Sequence, residues 1–262
     1  MQSSPIIGAS LFSAEPELEW RLPKRLREIS GLALTPDGRV MGHDDELAHI
    51  YQLDIDRGQV VKRFALGETV QRGDFEGIAI DGDGAFYLST STGWLYRFRE
   101  GDHRAHVGFE CFDTGLRHVG EVEGLAYHAA GDVVVFVCKT VYAPGLKGSL
   151  VLFAWSPKTP HEPARPWLTV PAAPFAEAVG KASFHPSSLE IDPRTGRLVI
   201  LAARQNAMVE LDADGTLLAA RRFGKGMHQA EGAAILPDGA LLIAREGGDA
   251  RALMRRYARA HE

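Results

Sequence analysis

The chain has 262 residues, 45% of them hydrophobic and 24% charged, with 28 glycines and 14 prolines. This composition is typical of a turn-rich, soluble globular protein and excludes a disordered chain or a coiled coil. The formal net charge is −5, so the chain lacks the cationic excess that nucleic-acid binding requires, and its two cysteines are too few for a disulfide scaffold.

The N-terminus carries no sign of export. Residues 1–10 contain neither a basic segment nor an apolar stretch, and the longest apolar runs, at 133–138 and 150–155, are six residues. We therefore predict a chain without a membrane span. As written the sequence indicates a cytoplasmic location, whereas removal of a signal peptide would make it periplasmic.

One short motif recurs five times along the chain. Its copies centre on Gly31, Gly77, Gly124, Ser188 and Gly232, at intervals of 46, 47, 64 and 44 residues. A period near 45 residues is that of a four-stranded propeller blade. The sequence therefore predicts an all-β, five-bladed β-propeller of four antiparallel strands per blade, forming a single domain over residues 1–262.

Each motif is followed by a glycine-containing turn and then by short apolar or β-branched runs, as expected for hairpins. After the last anchor only three strands remain, so the segment Leu18–Leu22 is predicted to complete the last blade and close the ring. A six-bladed ring is the alternative, and its extra blade would have to lie in the 64-residue interval.

Two longer loops account for that interval. They span residues 141–148 and 171–186, and the second has room for one helical turn. Long loops are often functional, so a lid over one mouth of the ring is one interpretation. Simple variation in loop length is the other.

The predicted topology brings polar residues together at one mouth of the channel, where first strands begin and second strands end. Three carboxylates, Glu76, Glu123 and Glu231, directly precede an anchor glycine. They could not all stay ionised without a counter-charge. Oxygen ligands suit Ca²⁺, with Mg²⁺ or Mn²⁺ as alternatives. Further acidic residues stand close in sequence as supporting groups: Glu28, Asp74 and Glu121.

A second interpretation of the same carboxylates needs no metal. Lys139, Arg204 and Arg245, at or just after the ends of second strands, could neutralise them in a ring of ion pairs. The residues predicted to bind an anionic ligand at this mouth are Lys139, Arg204, Arg245, His43 and Asp45, and Arg245 is followed by a further acid, Glu246.

The motifs Glu28-Ile-Ser-Gly-Leu-Ala, Gly73-Asp-Phe-Glu-Gly-Ile-Ala and Glu123-Gly-Leu-Ala, with Glu231-Gly, resemble the SdiA-regulated (YjiK-like) β-propeller family from about Leu22 onward. The resemblance implies a propeller with calcium in its channel, a periplasmic or membrane-anchored location, and distant kinship with phytase-like esterase and gluconolactonase propellers. The chain departs from the pattern at Ser187-Ser188, and it shows no export signal.

Two function classes follow. The first is a monomeric binding propeller that captures a small anionic molecule or a partner loop at a calcium-containing channel mouth, without turnover. The alternative is a metal-dependent hydrolase of a small phosphoester or lactone, whose catalytic candidates are His185, His228, Arg204 and Arg245.

Overall fold

The predicted hairpins form five small sheets. The computed structural model describes residues 7–224 and 226–260. The N-terminal segment contributes β1 (Ile7–Gly8) and β2 (Leu18–Arg21). The first blade contains β3 (Ile29–Leu34), β4 (Val40–Asp44), β5 (His49–Asp54) and β6 (Gln59–Leu66). The second contains β7 (Phe75–Ile80), β8 (Ala85–Thr90), β9 (Trp94–Arg99) and, after the short β10 (His106–Val107), β11 (Phe109–Asp113).

The remaining three blades follow the same plan. The third contains β12 (Gly120–His128), β13 (Val133–Val141), β14 (Ser149–Trp155) and β15 (Arg165–Pro171). After the helix α1 (Ala173–Ala178), the fourth contains β16 (Ser188–Ile191), β17 (Leu198–Ala202), β18 (Ala207–Leu211) and β19 (Leu217–Arg222). The fifth contains β20 (Ala230–Ile235), β21 (Leu241–Arg245) and β22 (Leu253–Tyr257). Single 3-10 turns lie at Lys24–Leu26, Leu116–His118, Pro144–Leu146 and Ala203–Gln205.

The innermost strands close into a ring. Strands β3, β7, β12, β16 and β20 each contact the next, and β20 contacts β3. This confirms the five-bladed propeller, and the six-bladed alternative is wrong. The long interval instead holds the outer strands of the third blade and the helix α1. Among the described residues, no helix is both long and apolar enough to cross a bilayer.

The anchor glycines are required where neighbouring blades meet. A Cβ at Gly77 would lie 2.8 Å from Leu125 Cβ, and one at Gly124 would lie 2.8 Å from the Leu189 nitrogen. Both contacts are with the innermost strand of the following blade, and they are closer than side chains tolerate. Glycine at this position therefore lets the inner strands approach backbone to backbone around a narrow channel.

The core lies between blades rather than within them. Buried apolar residues form five clusters, and each combines side chains from two neighbouring sheets. In one of them Leu32 of the first blade packs with Leu242 and Met254 of the fifth. Each sheet is consequently apolar on both faces, which explains why the second strands read as continuous hydrophobic runs.

The N-terminal segment completes the fifth blade, as predicted. β2 pairs antiparallel with β22, placing Leu18 opposite Arg256 and Arg21 opposite Leu253. The segment before β2 continues across the blade boundary, a feature the sequence analysis did not predict. Phe12 is buried and forms a bridge with Arg259, and β1 pairs with β19 of the fourth blade. The segment that contains β1, Phe12 and β2 thus connects the fourth and fifth blades by strand pairing.

Two details depart from the common plan of the blades. Val107 lies in the short strand β10, which pairs parallel with β6 of the first blade. In the turn between β12 and β13 the left-handed residue is Asp132, with φ of 48°, and not Gly131. Residues 1–6, which entered the prediction about export, lie outside the described residues.

Candidate functional site

The acidic residues of the repeated motif reach the channel through β-bulges. In the third blade Val122 pairs with Cys138 and Gly124 pairs with Val137, which leaves Glu123 as the extra residue of the strand. The same irregularity surrounds Glu76 and Glu231 in their blades. A bulge turns the extra side chain away from the regular pleat. Each glutamate is thereby freed from packing between blades.

These glutamates are poorly solvated and crowd one another. Glu123 is 3% exposed. Burial raises the pKa of its carboxyl to about 7. Burial, followed by repulsion from Glu123 and Asp74, raises the pKa of Glu76 to about 9. The pKa of Glu231 is raised by burial and then by the charge of Glu246, with which it shares a hydrogen bond. The mouth therefore favours protons or cations beside these groups.

Lys139 is the cation that the structure places among them. Its ammonium group donates a hydrogen bond to Glu123 and lies 3.5 Å from a carboxylate oxygen of Glu121. The other two cations of the predicted ion-pair ring form no ion pair with these carboxylates in the described chain. Arg204 is exposed, and it has no ion-pair partner within residues 7–224 and 226–260. Arg245 donates to the backbone oxygen of Glu246, and its charge interacts with Arg255 and Glu19 in the outer strands.

A second group of carboxylates lies at the junction of the first and fifth blades. Oxygens of Glu28, Asp45 and Glu246 all lie within 4.8 Å of one another. Backbone hydrogen bonds hold the three segments, since the Asp45 N–H donates to the Glu28 carbonyl and the Glu246 N–H donates to that of Gln229. In the described part of the chain, these three carboxylates are close enough together to share one metal ion. The predicted set of Glu76, Glu123 and Glu231 does not meet the same limit on the distances between ligand atoms.

The donor set of this trio fits a hard divalent cation. It consists of carboxylate oxygens, which Ca²⁺ prefers. Asp45 Oδ1 is buried and has no hydrogen-bond partner within the described protein, so it is a desolvated acceptor available to an ion. Burial and the charge of Glu28 raise the pKa of Asp45, as expected when like charges converge without a cation. One partial counter-charge is present, because Arg27 Nε lies 2.6 Å from Glu28.

The opposite side of the mouth, over the third to fifth blades, is open and carries the basic residues. A cavity of about 360 Å³ is lined there by Glu123 and Glu231 together with Lys139, His185, Arg204 and His228. His185 Nδ1 lies 3.2 Å from the Lys139 carbonyl oxygen. The structure thus brings four predicted cationic or imidazole side chains to one cavity.

The other predicted site residues have different surroundings. His43 is fully buried, with its Nδ1 3.0 Å from the Asp44 carbonyl oxygen, and it packs over Gly31. It is therefore inaccessible to an anion. Asp45 was grouped with the anion-binding residues, but it lies within an acidic trio. Asp74 is exposed and accepts a hydrogen bond from Ser91.

Sequence reasoning missed the grouping of Glu28, Asp45 and Glu246. Two of these residues follow the second strand of their blade, whereas Glu28 precedes a first strand. The positions of these residues within the repeat could have indicated this grouping, because the corresponding strand ends of neighbouring blades lie at the same mouth of the channel. The bulges also had a signal, since a glycine follows the extra residue at each one, at Ser30-Gly31 as well as after Glu76, Glu123 and Glu231.

Comparison with known proteins supports the fold. A family model described as "Strictosidine synthase-like, N-terminal" matches residues 76–98, which is a short part of the second blade. Curated proteins give no significant sequence match. The resemblance to the SdiA-regulated family therefore stays a prediction.

Several solved structures share the architecture at low sequence identity. Myxococcus xanthus glutaminyl cyclase superposes with a TM-score of 0.60 at 17% identity, covering 94% of this chain and 97% of that one. A luciferin-regenerating enzyme gives a TM-score of 0.58 at 11% identity, covering 93% and 95%. A streptogramin B lyase gives 0.50 at 9% identity, covering 92% and 97%. At these identities the likeness shows the fold alone.

Proposed function

We propose that this protein binds a divalent cation, Ca²⁺ in the first instance, together with a small organic anion at the mouth of its central channel. In this proposal Glu28, Asp45 and Glu246 hold the cation. The anion occupies the adjoining cavity, where Arg204 and His228 face it. The proposal needs no turnover.

The observation that carries the proposal is the imbalance of charge at the mouth. Eight of the carboxylates at this mouth come from the four blades other than the fourth: Glu28, Asp45, Asp74, Glu76, Glu121, Glu123, Glu231 and Glu246. Ion pairs to them within the described residues come from Lys139 and Arg27. Such crowding costs free energy that a divalent cation removes. Meanwhile Arg204, at the edge of the same mouth, keeps its charge available for an anion.

The test of the cation site is thermal unfolding with Ca²⁺, Mg²⁺, Mn²⁺ and chelator. Calcium at 100 times its dissociation constant should stabilise the protein by roughly 2.7 kcal/mol. Glu246→Gln and Asp45→Asn should each remove most of this gain, because each deletes one charged ligand. The matched control is Glu162→Gln, since Glu162 is exposed in the β14–β15 hairpin at the opposite end of the blade. Equal calcium responses in Glu246→Gln and the unaltered protein would contradict the proposal.

A second candidate is a metal-dependent hydrolase of a small phosphoester or lactone. It is favoured by the presence of Glu123, His185 and His228 around one cavity. A bound divalent cation would polarise the phosphoryl or acyl oxygen. Glu123 could accept a proton near neutral pH, His228 could donate one, and Arg204 could stabilise developing negative charge.

The hydrolase candidate is tested by turnover of phosphomonoesters, phosphodiesters and lactones with and without each cation. Glu123→Gln should lower kcat by about 10²–10⁴-fold if Glu123 acts as the base, and Arg204→Ala should weaken both binding and turnover. Binding of an anion without any metal-dependent turnover across this panel would leave the binding function alone.

A further inference from the structure

We propose that the organic anion bound at the mouth carries an apolar substituent, an aromatic ring or a short alkyl chain, which lies in a pocket beneath the helix α1. This inference rests on the proposed function and specifies its ligand class. It assigns a role to the insertion, the long loop of residues 171–186 between β15 and β16. The proposed cation site does not use this loop.

The pocket is a second cavity of about 320 Å³, between the third blade and the segment of residues 172–185 that follows it. Its apolar lining comes from Val141, Ala172, Ala173, Ala176, Ala182 and Phe184. Four of these are alanines of the insertion, whose short side chains leave the space unfilled. Phe175 and Phe184 of the same insertion pack at 5.8 Å between ring centroids and anchor it to the core. The wall of the pocket is thus held in place by buried aromatic residues.

The pocket lies beside the polar cavity at the mouth, since Lys139 and His185 line both. A ligand that occupies both would pass these two side chains. The Lys139 ammonium is already paired with Glu123 and Glu121. Arg204 has no ion-pair partner in the described chain, and it lines the polar cavity but not the pocket. A ligand that satisfies both regions has its negative group toward Arg204 and its apolar group toward α1.

The motif of the fourth blade leaves room for an anion at this side of the mouth. The position before its anchor holds Ser187, where the first blade has Ser30 and the other three have a glutamate. No carboxylate of this motif therefore projects between Lys139 and Arg204. Cavities of this size with an apolar wall and a few convergent polar groups are typical of small-molecule sites.

The experiment compares matched anions by isothermal titration calorimetry on the full chain in the presence of calcium. Methyl phosphate is compared with phenyl phosphate, and acetate with phenylacetate, so that the two headgroup chemistries are distinguished. The aromatic member of the preferred pair should bind at least tenfold more tightly. Ala182→Trp, which fills the pocket from an exposed position of its wall, should reduce that ratio to about one.

The control is Ala130→Trp, an equally exposed alanine in the turn between β12 and β13, which should keep the tenfold preference. Arg204→Ala should weaken the binding of both phosphates, which tests the anion site itself. If methyl phosphate or acetate binds but its aromatic counterpart binds no more tightly, the inference is wrong and the proposed function stands. If none of the four anions binds, both are wrong.

Discussion

The third and fourth blades place different chemistry at the same position of the repeat. In the third, Glu123 is the extra residue of a bulge and projects to the channel, followed by Gly124. In the fourth, Ser187 directly precedes β16, whose first residue, Ser188, lies opposite Leu201. The Ser187 hydroxyl donates to the Ala230 carbonyl and accepts from the Ala203 N–H, so it fastens the fourth blade to the fifth.

This difference shows that the side chain before the anchor determines what the position does: it either projects a charge toward the channel or forms hydrogen bonds that join two blades. A long carboxylate on a bulge reaches the channel and needs a proton or a cation beside it. The short hydroxyl of Ser187, just before its strand, bonds one backbone group of its own blade and one of the next. The second, third and fifth blades have a glutamate at this position, whereas the first and fourth have Ser30 and Ser187.

The largest effect should come from removing the cation of the third blade. Lys139→Met leaves Glu123 buried without its ion-pair partner, which should lower the free energy of unfolding by about 3 kcal/mol at pH 8. Urea denaturation measures this effect. The loss should shrink at pH 5, where Glu123 with its pKa raised to about 7 is protonated and neutral.

Arg204→Met is the matched control from the fourth blade. Because Arg204 is exposed and outside the ion pairs of the described chain, its replacement should change the free energy of unfolding by less than about 0.5 kcal/mol. Equal losses in the two variants would show that the two cations have the same structural role.

The next effect concerns the anchor. In Gly124→Ala the new methyl group would meet the Leu189 nitrogen at 2.8 Å and Ser188 Cα at 2.9 Å, so the inner strands must separate. We expect a loss of about 1–3 kcal/mol by thermal or urea unfolding. Ser188→Ala, at the anchor of the fourth blade, should cost less than about 1 kcal/mol, since that position already accommodates a Cβ. A tolerated Gly124→Ala would argue against the close approach of the two strands.

Stability should also depend on pH through the bulged glutamates. Their folded-state pKa values, about 7 for Glu123 and about 9 for Glu76, lie above the value near 4.3 of an unfolded chain. The folded protein therefore binds more protons than the unfolded one between about pH 4.5 and 9. Each such group makes stability fall with rising pH by at most about 1.4 kcal/mol per pH unit.

Melting curves in chelator from pH 5 to pH 9 measure this trend. Glu76→Gln should flatten the upper part of the curve, because it removes one of the groups that titrate there. Ser187→Ala should leave the slope unchanged, since the fourth blade contributes no carboxylate at this position. Stability that rises with pH over this range would contradict the raised pKa values of the bulged glutamates.

Apart from the control variants, the smallest loss of stability is expected from Ser187→Ala. It removes a hydroxyl that bonds two backbone groups, so the free energy of unfolding should fall by about 1 kcal/mol. The calcium response should persist, which separates the fastening role of the fourth blade from the electrostatic role of the third. Loss of the calcium response in this variant would remove that distinction.

Much of the fold was determined by the sequence alone. The spacing of the glycine-centred motifs specified the blade number, because each blade needs the same close approach at the channel. The excess of strands at one end and the shortage at the other specified that Leu18–Leu22 would pair with the C-terminal strand. Both properties are set locally, by the repeat and by the count of strands.

Only the tertiary structure decided which polar residues meet. Glu28, Asp45 and Glu246 come together because the first and fifth blades close on each other, a contact between residues near opposite ends of the chain. His43 is hidden because it packs over Gly31, although its place at the end of a second strand suggested the mouth. Sequence spacing gives the end of the blade on which a residue lies. The direction of its side chain depends on bulges and on the surface of the neighbouring sheet, which form only when the ring closes.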